Sequence, residues 1–210
     1  MTTLAKPNMK LALGAGAAFV LLAAMALDIR VVRIGSDADA VPGSFSAAVY
    51  GRTEFPKVQQ AVESRAVDAT VLAAAIAKDQ AAAEKQYGIA ADAGPEFAVR
   101  FAGKAGSQDS GVYDVAIPGL PDPVHVSVQT GPAITGTDLR DGAGTISFGQ
   151  FSNQIDYQNA GSALNKEMKK DVLSKVDVAN LTGKQVSVVG VFQLTDPGSW
   201  VVTPVKLDVR

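Results

Sequence analysis

Asn159–Val176, NAGSALNKEMKKDVLSKV, followed by Gln185–Leu194, QVSVVGVFQL, and Trp200–Val209, WVVTPVKLDV, sets the fold class. The first stretch repeats Ala160, Ala163, Leu164, Met168, Val172, Leu173 and Val176 at spacings of one helical turn, which predicts a helix with one buried face. Its outer side offers Glu167 to Lys170 and Asp171 to Lys175 as pairs one turn apart. The other two stretches are rich in β-branched and aromatic residues and are joined by Asp196-Pro197-Gly198-Ser199, with proline then glycine at the centre of a turn. Burial of Phe192 and Trp200 in this closing hairpin is the packing expectation.

Upstream, Glu96–Phe101, Val112–Ile117 and Val124–Val128 read as strands, separated by Gly106-Ser107 and by Pro118–Pro123. Gly131-Pro132 and Asp141-Gly142 punctuate two more, around Ala133–Thr137 and Thr145–Phe148. Strands, one helix, then two last strands is the order of an OB-type barrel, in which a helix plugs one end. An open antiparallel sheet with the helix across one face is the alternative that this order permits. Before the strands, Phe55-Pro56 opens a helical stretch through Val58, Ala61, Val62 and Arg65, Asp68 caps a second, and Asp79 a third that ends at Tyr87-Gly88.

The chain of 210 residues starts with a different kind of segment. Leu11–Leu27 carries no charged side chain and is preceded by Lys6 and Lys10, so it reads as a membrane anchor or a signal segment. Its seventeen residues fall short of the ~20 that span a bilayer comfortably. Ala24-Met25-Ala26 offers a cleavage site, while Ile29, Val31, Val32 and Ile34 could lengthen an uncleaved helix; the anchor is the reading taken here. No acidic residue precedes Asp28, which keeps the amino terminus in the cytoplasm and exports the rest.

The expected architecture is therefore α+β: an N-terminal membrane helix, a short helical segment, then an antiparallel OB-like β-barrel with one interposed helix. Residues 1–34 form the anchor or signal segment, 35–54 a tether whose GSDADAVPGSFS run is small and polar, 55–90 the helical preface and 91–210 the OB-like domain. The expected location is the bacterial inner membrane, crossed once, with the C-terminal domain in the periplasm.

Composition excludes several functions. There is no cysteine and one histidine, which removes thiol chemistry, disulfides and histidine-rich metal sites, and no metal or other cofactor is expected. Without Lys6 and Lys10 the exported part has 17 basic against 21 acidic residues, and 6% aromatics do not furnish a stacking groove, so nucleic acid is not an expected partner. His125 alternates with apolar neighbours in Val124–Val128 and reads as a solvent-facing strand residue. Gly14-Ala15-Gly16 and Gly142-Ala143-Gly144 lack the context of a phosphate loop.

One region is denser in polar groups than a sheet requires. Gln129, Arg140, Asp141, Asn153, Gln154, Tyr157 and Asn165, interleaved with Phe148 and Phe151, are the candidate ligand-binding residues for a polar small molecule. The competing reading has Arg140 pinned by Asp138 or Asp141, with Asn153 and Gln154 satisfying backbone before the helix. No catalytic residue is assigned. A glycan hydrolase using Asp138 and Asp141 is an alternative, as is a purely structural scaffold.

The block VSVQTGPAI at 126–134, GTDLRD at 136–141, FSNQIDYQ at 151–158 and ALN at 163–165 resembles a bacterial family of predicted periplasmic lipoproteins, domain of unknown function 2291. Leu181-Thr182-Gly183-Lys184, Trp200–Val205, Phe55-Pro56, Ala66-Val67-Asp68 and Tyr87-Gly88 extend the likeness over about Phe55 to Arg210. The resemblance implies an exported, membrane-attached protein, with components of a sugar transporter as the partners it suggests, and no activity, cofactor or catalytic residue. A chain without cysteine departs from the lipoprotein label, since it cannot be acylated there. The functional expectation is a membrane-tethered, non-enzymatic binding or accessory module.

Overall fold

The computed structural model describes residues 45–91 and 94–210, so the predicted anchor at 11–27 lies outside the described residues. Among the described residues no helix is long and apolar enough to cross a membrane.

The first helix among the described residues, α1 (Ala47–Arg65), begins eight residues before Phe55, inside the predicted tether. Ser46 caps it by accepting from the Val49 N–H, a start that a polar run ending in serine supplies as readily as Phe55-Pro56 does. Pro56 lies on the exposed side of the helix. Gly51, Phe55, Val58 and Val62 form the buried stripe. Val67–Asp68 (β1) is followed by α2 (Ala69–Lys78) and α3 (Gln80–Tyr87), capped by Asp68 and Asp79 as expected. Gly88 is extended, not left-handed, because it opens the two-residue strand β2 (Gly88–Ile89).

The sheet is built from β3 (Glu96–Asp109), β4 (Val112–Ala116), β5 (His125–Gln129), β6 (Gln185–Gln193) and β7 (Ser199–Val209). Besides the two-residue strands β1 and β2, the long strand β3 pairs with two main strands. Glu96–Lys104 pairs antiparallel with β6, and Lys104–Asp109 with β4. Gly106-Ser107, read as a turn, instead sits in a bulge between Ala105 and Gln108, and the chain reverses at Ser110-Gly111. Gly111 has φ +86°, and a Cβ there would sit 1.1 Å from the Gly131 carbonyl oxygen, so only glycine fits.

Pairings run β3–β4–β5–β7–β6 and return from β6 to β3. The expectation of an antiparallel barrel is corrected in two ways. β5 and β7 are parallel, as are β1 and β3. The wall is also uneven, with three residue pairs between β4 and β5 against nine between β3 and β6, so the result is a coiled, mixed sheet of OB-type order and not a regular barrel.

The expected strands at 133–137 and 145–148 are absent. Thr137–Asp141 instead turns into a short helix, α4 (Asp138–Asp141), and Phe148–Gln150 forms a 3₁₀ turn. Turn-forming glycines and short polar side chains dominate this stretch. The interposed helix, α5, runs Gln154–Asp171 and continues into a 3₁₀ turn at Leu173–Lys175, so it starts five residues before Asn159. It packs on α1 so closely that a Cβ at Gly51 would lie 2.7 Å from the Ala163 carbonyl oxygen. The pairing of Glu167 with Lys170 forms.

The helical residues Phe55, Val58, Val62 and Leu72 share one buried cluster with the strand residues, so the helices and the sheet have a common core. At its centre Phe97 of β3 faces Phe192 of β6, with ring centroids 5.7 Å apart, and Phe192 stacks on Trp200 at 4.7 Å. Trp200 is fully buried and its Nε1–H donates to the Pro197 carbonyl. Replacing Trp200 by Ala should lower unfolding stability by about 3–5 kcal/mol, read as a shifted urea midpoint with an unchanged slope.

Candidate functional site

Of the polar residues expected around Arg140, Asp141 and Tyr157 hold it directly, and the arrangement faces inward. Arg140 is 7% exposed. Its Nε and Nη2 donate to the two carboxylate oxygens of Asp141 at 2.8 and 3.0 Å, a bidentate grip, and its Nη1 donates to the Tyr157 carbonyl at 3.1 Å. The guanidinium also lies 3.6 Å from the centroid of the Tyr157 ring. Asp141 further accepts from the hydroxyls of Thr137 and Tyr157. The pinning of Arg140 by Asp141 weighed from the sequence is what the geometry shows.

Asp138, one turn before Asp141, accepts from the Thr203 hydroxyl at 2.7 Å, and Gln129 donates to that same hydroxyl at 3.4 Å. Thus Gln129, Arg140, Asp141 and Tyr157 belong to one polar network that fastens α4 to β5, β7 and α5. Asn165 is buried and donates to the Gly136 carbonyl, holding the loop before α4. Asn153 stands apart as the cap of α5, accepting from the Asp156 N–H, and Gln154 is exposed on the first turn.

Sequence reasoning missed the innermost members. Glu96, at the start of β3, is 2% exposed, and its Oε2 is buried with no hydrogen-bond partner. Burial pushes its carboxyl up to about 8, with Asp138 and Asp141 adding to the rise and Arg140 opposing it. Burial also raises Asp138. Thr203 is buried in β7. No local signal marks Glu96 or Thr203, since each owes its setting to an element far away in the chain. Burial pushes the Tyr50 phenol up to about 12, so its hydroxyl stays protonated.

Such a network holds charge in place and offers little to a substrate. Neither Asp138 nor Asp141 lines any of three open grooves, and among the described residues no three side chains could hold a metal ion together.

The widest of the grooves, about 580 Å³, lies over β4 and β5. Asp114 is exposed there and accepts from Ser107 at 3.0 Å and Ser127 at 2.9 Å. Asp122 and the exposed His125 complete the polar side, and Ile117 and Leu120 the apolar side. Sequence reading had placed His125 on the solvent face, as found, but had no means of joining it to Asp114 across the strand pair. A second groove of about 430 Å³ runs between residues 132–136 and α5, lined by Ser162, Asn165, Lys166 and Lys169.

Comparison with known proteins bears on the fold and the family. An OB-fold protein of Thermotoga maritima, known from its crystal structure, is similar with a TM-score of 0.65 at 16% identity, over 80% of this chain and 99% of that one. No curated protein matches. The family model described as predicted periplasmic lipoprotein (DUF2291) matches residues 16–208, and the chain belongs to that family.

Two outcomes follow from the buried network. Arg140→Ala leaves Asp141 without its counter-ion and should destabilise by about 3–5 kcal/mol, while Arg140→Lys, lacking the planar fork, should recover little of that in the same urea titration. In the folded chain Glu96 keeps its proton up to about pH 8, whereas the unfolded chain releases it near 4.5. The folded state therefore holds the extra proton between those values, and stability should fall as pH rises through this window by about 1.4 kcal/mol per unit from this group, levelling off above it. Glu96→Gln should remove that share of the slope, measured by thermal or urea unfolding from pH 4 to 9.

Proposed function

We propose that this member of the predicted periplasmic lipoprotein family is a non-enzymatic binding module of the bacterial envelope. In this reading Leu11–Leu27 keeps it at the inner membrane, and the groove over β4 and β5 takes a polar, hydroxyl-rich small molecule. The observation that carries the reading is the division of labour among polar groups. Arg140, Asp138 and Asp141 are spent on holding elements together, whereas Asp114, Asp122, His125 and Ser107 stand exposed around a groove of about 580 Å³.

That volume falls within the range of roughly 300–1,000 Å³ typical of small-molecule sites. The lining offers hydrogen-bond acceptors beside apolar side chains, which suits a ligand that presents several hydroxyl donors on a carbon frame. β4 and β5 are the second and third of the five main strands, the face on which OB-type folds commonly bind oligosaccharides and oligonucleotides. Exposed carboxylates disfavour the phosphates of the latter. A sugar importer beside it in the membrane is the partner this reading suggests, and delivery or sensing of its substrate is the accessory role.

The test is thermal unfolding of the full chain in detergent with a panel of neutral sugars and polyols. A true ligand at a hundred times its dissociation constant should stabilise by about 2.7 kcal/mol, a rise on the order of 5–10 °C. Asp114→Asn should abolish the rise and leave the unliganded midpoint almost unchanged, because Asp114 is exposed. If no member of the panel shifts the midpoint, or if Asp114→Asn and Asp122→Asn leave a shift intact, the groove is not the site.

A further inference from the structure

We propose that the aromatic surface formed by Phe45, Val49, Phe148, Phe151 and Ile155 lies against the lipid interface of the membrane, docking the domain on the bilayer in one orientation. The inference rests on the reading that Leu11–Leu27 is in that membrane, and it is separate from the groove over β4 and β5.

The rings form a continuous run, with Val49 and Ile155 close to Tyr50 and Tyr157 in sequence. Ring centroids of Phe45 and Tyr50 lie 5.2 Å apart, Tyr50 and Phe151 5.5 Å, Phe151 and Tyr157 5.3 Å, and Phe148 and Tyr157 5.6 Å. It is also bare, with Ile155 71% exposed, Phe148 48% and Val49 46%. Among the described residues the other exposed large hydrophobics, Val71 and Val201, stand on α2 and β7, away from these rings. The rings rest on a rigid base, since Tyr157 is held over the buried Arg140 guanidinium.

The position of the surface in the chain identifies what covers it. Phe45 is itself one of the rings, and the apolar stretch ends at Leu27. Seventeen residues of sequence, Asp28–Ser44, separate them, and seventeen residues reach at most ~60 Å, so this corner is the part of the domain nearest the apolar stretch along the chain. Aromatic rings with polar neighbours such as Asn153 and Gln154 are the composition that settles at the depth of lipid headgroups. A second copy of the chain is a poorer fit. Five side chains, two of them largely covered, expose well under the ~800 Å² that each partner of a stable interface buries.

The chain has no cysteine, so single reporters can be placed cleanly. The full chain carrying Ile155→Cys, Phe148→Cys or, as a control on the β3–β4 turn, Ser110→Cys would be labelled with an environment-sensitive fluorophore. It would then be reconstituted in phosphatidylethanolamine–phosphatidylglycerol vesicles that contain nitroxide-labelled lipid. The expected result is a blue-shifted emission quenched at least two-fold at 155 and 148, with water-like, unquenched emission at 110. Because Ile155 is the most exposed of the three hydrophobics, its replacement leaves the fold intact and stands as the reporter should Phe148→Cys loosen the rings. Carbonate extraction of the same vesicles separates the two ways the idea can fail. Protein that resists extraction yet emits alike from all positions overturns the docking, as does crosslinking of position 155 to position 155 between copies. Protein that is extracted overturns the anchor, and the docking with it.

Discussion

The guanidinium of Arg140 is where the architecture is tied. It sits among three carboxyl groups, Glu96, Asp138 and Asp141, within the body of the fold. Asp141 takes its Nε–Nη2 edge, the Tyr157 carbonyl takes Nη1, and the Tyr157 ring covers its face. The next turn back, Asp138 reaches Thr203 of β7. A four-residue helix without enough length to be stable by itself is thereby fixed to the sheet on one side and to α5 on the other. From the far end Arg65 of α1 donates to the carbonyls of Gly142 and Ala143, closing the exit of the same helix. Removing the cation would leave acidic groups facing each other away from water, which is why one buried Arg matters more here than any exposed ion pair.

Strand direction supplies the second constraint. β3, β4 and β5 alternate in direction, and β6 returns antiparallel to β3, so β7, antiparallel to β6, must run the same way as β5. Placed between β6 and β5, it can only pair with β5 in parallel. The long crossing from β5 to β6 that this demands is the region of α4 and α5, and it brings the polar network to one end of the coiled sheet. The stack of Phe97, Phe192 and Trp200 fills the middle.

Local signals were legible and distant ones were not. The closing hairpin, the α5 stripe and the caps at Asp68 and Asp79 follow from spacing and from single residues, and they formed where the sequence placed them. Of the candidate site residues, the clustering of Arg140, Asp141 and Tyr157 was visible because α4 and the start of α5 are neighbours in the chain. Glu96 and Thr203 were not visible, for each is an ordinary strand residue until β6, β7 and α4 converge on it. Gly106-Ser107 misled in a physical way. Small residues suit a turn and a bulge alike, and only the availability of β4 as a partner past the bulge decides between them. The segments at 133–137 and 145–148 hold their β-branched residues among glycines and short polar side chains, and turn chemistry prevails there.

The same convergence separates interior from surface in functional terms. A buried carboxyl that keeps its proton, beside a locked ion pair, has the pKa pattern of a catalytic acid but lacks access, and structural networks produce that pattern too. With the helices drawn to one side by Arg140, Arg65 and Gly51, the outer face of β4 and β5 is left uncovered, and its exposed Asp114 accepts from hydroxyls on β3 and β5 across the strands. The entrance of the chain at Phe45 falls on the opposite kind of surface, rings and aliphatic side chains with no polar network of their own. An apolar ring surface at one corner and an uncovered polar groove on another face are the two separate surfaces that the proposed docking and the proposed binding each require.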